Sequence, residues 1–168
     1  MDVFIEQIVV KKKDIKDLLY YSIIGLGNLV LIYLMISVSF FKYLIPLIVI
    51  CLIYANYFLI IKRNIEFEYI VTNGDLDIDM IISKKKRKRI ISTNIKEFEV
   101  VAGIKSDKLT PEIQNIKNVV HTESSMEAEG LYFGVFNYNG RKTLLVMEPG
   151  EKVLNAIKAA SPRKVFVD

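Results

Sequence analysis

The hydrophobic positions fall into two zones of different periodicity. From Leu18 to Ile61 the chain is apolar almost without interruption, and Lys42 is the one charged residue in that range. From Ile65 onward apolar and polar residues alternate instead. The first pattern predicts helices that are apolar on every side, whereas alternation predicts strands that bury one face.

The apolar zone predicts two helices, at 18–40 and 44–61, each long enough to cross a hydrocarbon core of ~30 Å. Phe40–Tyr43 forms an aromatic and polar interruption suited to an interfacial turn, and Pro46 is tolerated in the first turn of the following helix. We therefore expect a transmembrane α-hairpin. Two core helices of a soluble protein are disfavoured because Leu29–Ser39 shows no polar stripe.

The charged flanks of the apolar zone predict its orientation. Basic residues close to a span are retained on the cytoplasmic side of the membrane. They are Lys11, Lys12, Lys13 and Lys16 before the first helix, and Lys62 and Arg63 after the second. We expect a cell-membrane protein with two spans and both termini in the cytoplasm. A cleavable signal peptide is the competing interpretation, but the apolar stretch is too long and no small-residue cleavage site follows it.

Few polar residues lie within the predicted spans. Asn56 has a depth between those of Ser22 and Asn28, so it is placed to bond across the hairpin, and Gly25 and Gly27 offer a flat packing patch. No acidic residue, histidine or arginine lies in either span. A proton or ion pathway usually needs such groups, so a transporter is disfavoured.

Beyond Ile65 the alternation predicts strands around the tight turn Asn73-Gly74. Phe67, Tyr69, Val71, Leu76, Ile78 and Met80 are the predicted inward residues. The carboxylates of Asp75, Asp77 and Asp79 alternate with them in a D-x-D-x-D pattern. A calcium loop is excluded because Met80 stands where glycine is needed and Lys86 where a bidentate glutamate is needed.

A run of six cations follows this hairpin: Lys84, Lys85, Lys86, Arg87, Lys88 and Arg89. It has two open interpretations. The first is a solvated hairpin tip with strands beginning inside it. The second is a lipid-headgroup site, because the short connection to the second helix holds the domain near the membrane, where each cation contributes roughly 1 kcal/mol. Asp75, Asp77 and Asp79 would partly neutralise the run if the hairpin pairs them across.

The remaining chain predicts a small β domain closed by a helix. The predicted strands are Ile95–Val101, Val119–Glu123, Leu131–Tyr138 and Arg141–Glu148, with a short tail strand at Lys164–Val167. A connection over 103–118 contains one helical turn at Pro111, Asn139-Gly140 predicts a second hairpin, and Glu151–Ala160 predicts an amphipathic helix.

This order of elements resembles a known family. The stretch from Tyr69 to Asp79, the basic turn at 84–89, the hairpin at Asn139-Gly140 and the closing helix 151–160 are similar to bacterial pleckstrin-homology-like domains, which are commonly carried on two transmembrane helices. The resemblance implies an α+β membrane protein in which a transmembrane α-hairpin precedes an antiparallel β-barrel or sandwich capped by a C-terminal helix. It implies that loops of this domain bind lipid or protein.

The implied organisation has three parts. Residues 1–17 form an N-terminal cytoplasmic segment, residues 18–61 the hairpin, and residues 65–168 the pleckstrin-homology-like domain.

Charge and cysteine content are consistent with this predicted membrane protein. The net charge of +4 suits a partner surface of anionic lipid. Nucleic-acid binding is disfavoured because no aromatic residues interleave the basic run. Cys51 is the one cysteine and lies mid-span, so it forms no intramolecular disulfide and no zinc set.

Catalytic signals are weak. His121 lies on a predicted strand with Ser124 and Ser125 nearby, but no nucleophile elbow surrounds them, and no phosphate-binding loop is present. We expect no catalytic residues, cofactor or metal.

Two functional hypotheses remain. The first is a membrane-anchored module that contacts anionic lipid through Lys84–Arg89. The second is a scaffold or accessory subunit that binds another protein, or a second copy of itself, through exposed strand edges or through whichever of Tyr132, Phe136 and Tyr138 face outward.

Overall fold

A computed structural model describes residues 3–38 and 43–166 of the chain. Two compact units are present. One is helical and covers Lys12–Asn64, and the other is a β domain assembled from the residues up to Lys11 and from Ile65 onward. The β domain is therefore interrupted by the helices, and its first strand precedes them in the chain.

The helical unit contains α1 (Ile15–Ser37) and α2 (Ile45–Ile61). Asp14 begins α1 with a capping box completed by Asp17, which is why this helix begins before the predicted residue 18. With 23 residues, α1 is long and apolar enough to cross a membrane, whereas the apolar α2 has 17. The predicted turn over Phe40, Phe41 and Lys42 lies outside the described residues.

The first sheet has the order β1-β2-β3-β4 and is antiparallel throughout. Its strands are β1 (Phe4–Val10), β2 (Ile65–Thr72), β3 (Asp75–Ile82) and β4 (Lys86–Asn94). The predicted tight turn joins β2 to β3, and both Asn73 and Gly74 adopt positive φ, at 50° and 96°. Asn and Gly accept this backbone more readily than other residues, as two-residue hairpins require.

Strand β1 was not predicted, since residues 1–17 were expected to form a separate segment outside the β domain. Its inward face carries Ile5, Gln7 and Val9, and its outward face carries exposed apolar residues, so the expected alternation is obscured. Gln7 is tolerated on the inward face because its side-chain amide donates to the Glu148 carbonyl at 3.1 Å and accepts from the Gly150 amide at 2.6 Å.

The second sheet has the order β6-β8-β7-β5-β9. Its strands are β5 (Val100–Gly103), β6 (Asn118–His121), β7 (Tyr132–Tyr138), β8 (Arg141–Met147) and β9 (Val165–Phe166). The predicted Asn139-Gly140 turn joins β7 to β8, while β6 pairs with β8 and β5 with β9 in parallel. The helices of this part are α3 (Pro111–Gln114) and α4 (Glu151–Ala160). Val167, at the end of the predicted tail strand, lies outside the described residues.

The structure corrects two expectations within this domain. The predicted strand Ile95–Val101 is a 3₁₀ turn at Ile95–Glu97 followed by β5, because the Asn94 side chain caps the turn by accepting from the Lys96 amide at 3.0 Å. The expected antiparallel barrel or sandwich is found as two separate sheets with no closed barrel among the described strands, and two strand pairs of the second sheet, β6 with β8 and β5 with β9, are parallel. The broader expectation of an α+β chain is confirmed.

The core lies between the two sheets and α4. Val153 and Ile157 of α4 are buried in the same cluster as the inward residues of β2 and β3. Tyr69 joins the sheets, because its hydroxyl donates to the Thr122 carbonyl at 2.7 Å and accepts from the Glu148 amide at 3.1 Å. Burial raises the pKa of Tyr69 to about 12, so the phenol stays a neutral donor.

Candidate functional site

Sheet register brings the basic run to one particular end of the first sheet. Ile65 pairs with Ile82, the Lys11 amide donates to the Ile65 carbonyl at 3.0 Å, and the Lys85 amide donates to the Ile82 carbonyl at 3.1 Å. The chain thus leaves and re-enters the β domain beside the Ser83–Lys85 turn. We call this the basic end of the sheet, comprising Val10, Lys11, Ile65, Ile82 and residues 83–88.

A β-bulge decides which cations of the run face the acidic residues. The register of β3 and β4 shifts between Ile78 and Asp79, so Arg89 pairs with Asp79 while Ile90 has no partner. Without this extra residue, alternation would place Ile90 opposite Asp79 and Lys88 opposite Ile81. The bulge therefore places Arg87 and Arg89 on the outer face, which is the face away from the core.

The two arginines form ion pairs with acidic residues of that outer face. Arg89 Nε lies 2.6 Å from Asp79 Oδ1 and its Nη1 lies 2.5 Å from Asp77 Oδ2, while Arg87 Nη2 lies 2.9 Å from Glu68. Glu68 and Asp79 are each only 2% exposed. Arginine suits this position because its planar fork can bond two carboxylates at once.

The pKa values reflect this arrangement. The hydrogen bond to Asp79 raises the pKa of Arg89 above its ordinary value. Burial is the main cause that raises the pKa of Glu68, and the neighbouring Glu6 carboxyl adds to it while Arg87 opposes it. Arg87 and Arg89 are thus engaged in ion pairs with carboxylates of the first sheet.

The four lysines of the run remain available to solvent. Lys84 Nζ lies 3.9 Å from Glu66 Oε1 but its side chain is 83% exposed. For Lys85, Lys86 and Lys88 no carboxylate lies within ion-pair distance in the described parts of the chain. The predicted six-residue site therefore separates into two arginines paired with buried carboxylates and four exposed lysines, of which Lys84 has a carboxylate at 3.9 Å. Asp75, which was expected to help neutralise the run, instead accepts from the Asn94 side chain at 2.6 Å.

The opposite end of the first sheet carries negative charge. A cleft of about 350 Å³ is lined there by Asp75, Asp77, Ser92, Thr93, Asn94 and Glu97. We call this the acidic end. Within residues 3–38 and 43–166, no group of three or more His, Cys, Asp or Glu side chains is arranged to hold a metal ion.

The predicted packing residues of the spans have few contacts. Nothing lies within 4 Å of the position that a β-carbon would take at Gly25 or Gly27. Asn28 and Asn56 are half-buried, and neither side chain forms a hydrogen bond within the described part of the helical unit. Their role in packing stays a prediction.

The helical unit contains an ion pair that the sequence analysis missed. Arg63 Nε donates to Asp17 Oδ1 at 2.6 Å, and the guanidinium lies 5.1 Å above the Tyr20 ring. The hydrogen bond to Asp17 raises the pKa of Arg63. The sequence contained one indication of this pair: Asp17 directly precedes the apolar zone and Arg63 follows shortly after it, so a helical hairpin brings the two side chains to the same end.

The remaining candidates do not assemble into an active site. His121 Nδ1 lies 2.9 Å from Glu123 Oε1, whereas the Ser124 amide donates to Glu148 at 2.9 Å. No hydrogen bond joins His121 to Ser124 or Ser125 among the described residues.

The structure shows how far the three candidate docking aromatics are exposed. Phe136 is fully buried in the core, and Tyr132 and Tyr138 are half-buried against it. Phe136 therefore does not meet the condition of facing outward, because the two sheets enclose it. Docking through Tyr132, Tyr138 or a strand edge stays a prediction.

Comparison with known proteins agrees with this architecture. The family described as a bacterial PH-like domain, DUF6106, matches residues 1–167, a range that includes β1, both helices and both sheets. The chain belongs to the bacterial PH-like domain family DUF6106. No curated protein and no solved structure matches it. Membership in DUF6106 confirms the resemblance seen in the sequence and supports a general role as a binding module.

Proposed function

We propose that this DUF6106 protein is a non-enzymatic, membrane-anchored binding or assembly module. Both helices cross the cell membrane, both termini face the cytoplasm, and the PH-like domain lies on the inner membrane surface. The domain contacts anionic lipid through the lysines of its basic end.

The apolar helices support the anchoring part of the proposal. At ~1.5 Å per residue, α1 has the length of a full span and the 17 residues of α2 rise about 25 Å. Large apolar side chains such as Leu26, Leu29 and Ile53 are exposed. Exposed apolar surface of this extent is stable in hydrocarbon and unfavourable in water.

The position of the basic turn is the observation that carries the proposal. Three residues, Lys62–Asn64, connect α2 to Ile65, and extended backbone covers that connection in about 14 Å at most. Ile82 pairs with Ile65 in the adjacent strand, so the turn that follows it is close to this connection. The chain itself therefore tethers the exposed lysines near the membrane surface.

The expected energy is modest and depends on salt. Each lysine near an anionic surface contributes roughly 1 kcal/mol, and the attraction decays over a Debye length of ~8 Å at physiological salt. Four lysines suffice to orient a domain that is already tethered, because tethering removes most of the entropy lost on association.

Hydrogen exchange of the full-length protein in lipid nanodiscs tests the proposal. We expect amides of residues 82–88 to exchange more slowly in discs containing phosphatidylglycerol than in phosphatidylcholine discs, and high salt to reduce the difference. Replacing Lys84, Lys85, Lys86 and Lys88 by Gln should abolish it. A control replaces four exposed lysines elsewhere in the domain by Gln: Lys105, Lys117, Lys152 and Lys158.

The control removes the same charge from other parts of the domain. If both variants lose the lipid-dependent protection equally, net charge explains the contact and the basic end has no special role. If neither loses it, the lysines do not contact lipid and the proposal is wrong.

A scaffold role is the second candidate, and the free edge of β1 favours it. β1 lies at the end of its sheet, is seven residues long, and contains neither proline nor lysine to discourage pairing with another chain. Cross-linking of the intact Cys51→Ala protein in native membranes from a cysteine placed at the exposed Glu6, with one at the exposed Asn155 on α4 as a control, tests this role. Identification of the same partner from the β1 position only would support it.

A further inference from the structure

The outward face of β1 carries an unusual amount of exposed apolar surface. Phe4, Ile8 and Val10 all lie on this face and are 66%, 52% and 59% exposed. Isolated exposed apolar residues are common, but here they follow one edge strand of a small domain. Val10 belongs to the basic end, and Phe4 lies six residues away, a distance of about 20 Å along the strand.

Acidic side chains also lie beside this apolar surface, and those nearest to the basic end are paired with cations. Glu6 lies on the outward face of β1 itself, between Phe4 and Ile8, and its carboxyl contacts that of Glu68. In the neighbouring strand β2, Glu66 is the cross-strand partner of Val10 and Glu68 is the partner of Ile8. Both carboxylates therefore lie on the same face of the sheet as Val10 and Ile8. Lys84 is the ion-pair partner of Glu66, and Arg87 is the partner of Glu68. At Val10 an anionic surface would therefore meet apolar side chains and paired carboxylates, with exposed lysines alongside, whereas Glu6 lies on the side of Ile8 that is further from the basic end.

Phe4 has different neighbours. Its cross-strand partner is Thr72, and the next strand presents Asp75 at the same level. This is the level of the acidic end, where Asp75 has no basic partner among the described residues. The same apolar strand face is thus compatible with an anionic bilayer at Val10 and incompatible with it at Phe4.

We propose that Ile8 and Val10 insert into the headgroup region of the same anionic bilayer, and that they form the apolar half of a membrane-docking surface whose electrostatic half is the lysine turn. This inference rests on the proposed function. Connectivity supports it, because five residue steps separate Val10 from Ile15 at the start of α1, which extended backbone covers in about 18 Å at most. Surfaces that combine apolar side chains with adjacent lysines bind anionic membranes through both contributions.

The test uses the full-length protein with Cys51→Ala and a fluorophore on a single cysteine at Val10 or at Phe4. The probe is a nanodisc of phosphatidylcholine and phosphatidylglycerol that carries a quencher at the upper acyl chain. We expect quenching at Val10 to exceed that at Phe4 by about threefold or more, and most of it to persist in 1 M NaCl because apolar contacts are not screened.

A second measurement avoids labelling the residue under test. In the variant Ile8→Ser with Val10→Ser, protection of amides 82–88 in anionic discs should become fully salt-sensitive, whereas Phe4→Ser should leave the wild-type salt dependence unchanged. Far-UV circular dichroism establishes that each variant retains the sheet.

The outcomes separate this inference from the proposed function. Equal quenching at Val10 and Phe4, or quenching at Val10 that salt removes completely, overturns the apolar contact while the lysine contact can still stand. Absence of any lipid-dependent protection at 82–88 overturns the proposed function and the inference together. Quenching at Val10 that disappears on dilution of the protein to one copy per disc shows that a second copy covers β1, and this also overturns the inference.

Discussion

The two ends of the first sheet are built from the same four strands but differ in charge and connection. At the basic end the chain passes to and from the helices, and four lysines extend into solvent. At the acidic end the strands are closed by the Asn73-Gly74 turn, and Asp75, Asp77 and Glu97 line a cleft. Charge in this domain therefore changes sign along the strands, so the basic end suits an anionic surface and the acidic end opposes it.

The arginines and the lysines of the basic run have different roles. Arg87 and Arg89 balance carboxylates that the sheet has buried, whereas the lysines have no comparable partner. Binding of Arg89 to a lipid phosphate would leave Asp79 buried without its closest cation, which is unfavourable. The lysines can contact lipid without that penalty.

The largest expected effect comes from removing the strand that both ends share. Deletion of residues 1–10 should abolish cooperative thermal unfolding of the β domain, because β2 loses its hydrogen-bonded neighbour and Gln7 no longer holds the Glu148–Gly150 backbone. Circular dichroism in detergent measures it. Phe4→Ser is the control, since it alters an exposed side chain only. A deleted protein that melts like the wild type would show that β1 is dispensable.

Breaking the ion pairs of the outer face should have the next largest effect. Arg89→Gln should destabilise the domain by about 1–3 kcal/mol, because the Asp79 carboxylate is left buried without its main donors. Lys88→Gln removes the same charge from the next residue and should change stability by less than about 0.5 kcal/mol. Thermal unfolding in detergent compares them. Equal losses would contradict the division between arginines and lysines.

A smaller effect is expected from freeing one lysine. Glu66→Gln removes the carboxylate nearest to Lys84 and should slow exchange at 82–88 in anionic discs further, by up to about fivefold, since one charge is worth roughly 1 kcal/mol there. Asp75→Asn makes the same change at the acidic end and should have no effect on that turn. An equal response to both substitutions would mean that the two ends are not distinct.

The smallest effect concerns pH. Burial is the main cause that raises the pKa of Glu68 in the folded domain. The protonated carboxyl is therefore the form that favours folding. Its stabilising contribution is fully present below pH 4.5, the ordinary pKa, and is lost as pH rises through the folded-state pKa. Glu68→Gln should therefore gain stability relative to the wild type as pH increases from 4 to 7, since a Gln carbonyl can still accept from Arg87. The exposed Glu127→Gln serves as the control, and a gain that falls with pH would contradict the assignment.

Local signals made parts of this fold predictable from sequence. The two Asn-Gly turns formed as expected because the required positive φ is a property of those residues themselves. The amphipathic α4 was likewise visible as a repeating apolar face. The apolar zone predicted helices for the same local reason.

Features that depend on register could not be predicted in this way. The pairing of Arg89 with Asp79 requires the bulge at Ile90, which no local residue type specifies. Strand β1 was hidden because inward Gln7 finds its partners more than a hundred residues later in the chain. The acidic partner Glu68 was missed because it lies two strands away from Arg87.

The most direct test compares the two ends within a single sample. Hydrogen exchange of the wild-type protein, measured in nanodiscs with and without phosphatidylglycerol, reports on the turn at 83–85 and the turn at 73–74 at the same time. We predict that anionic lipid slows exchange at 83–85 and leaves exchange at 73–74 unchanged. Slowing at 73–74 alone, or an equal change at both turns, would contradict it.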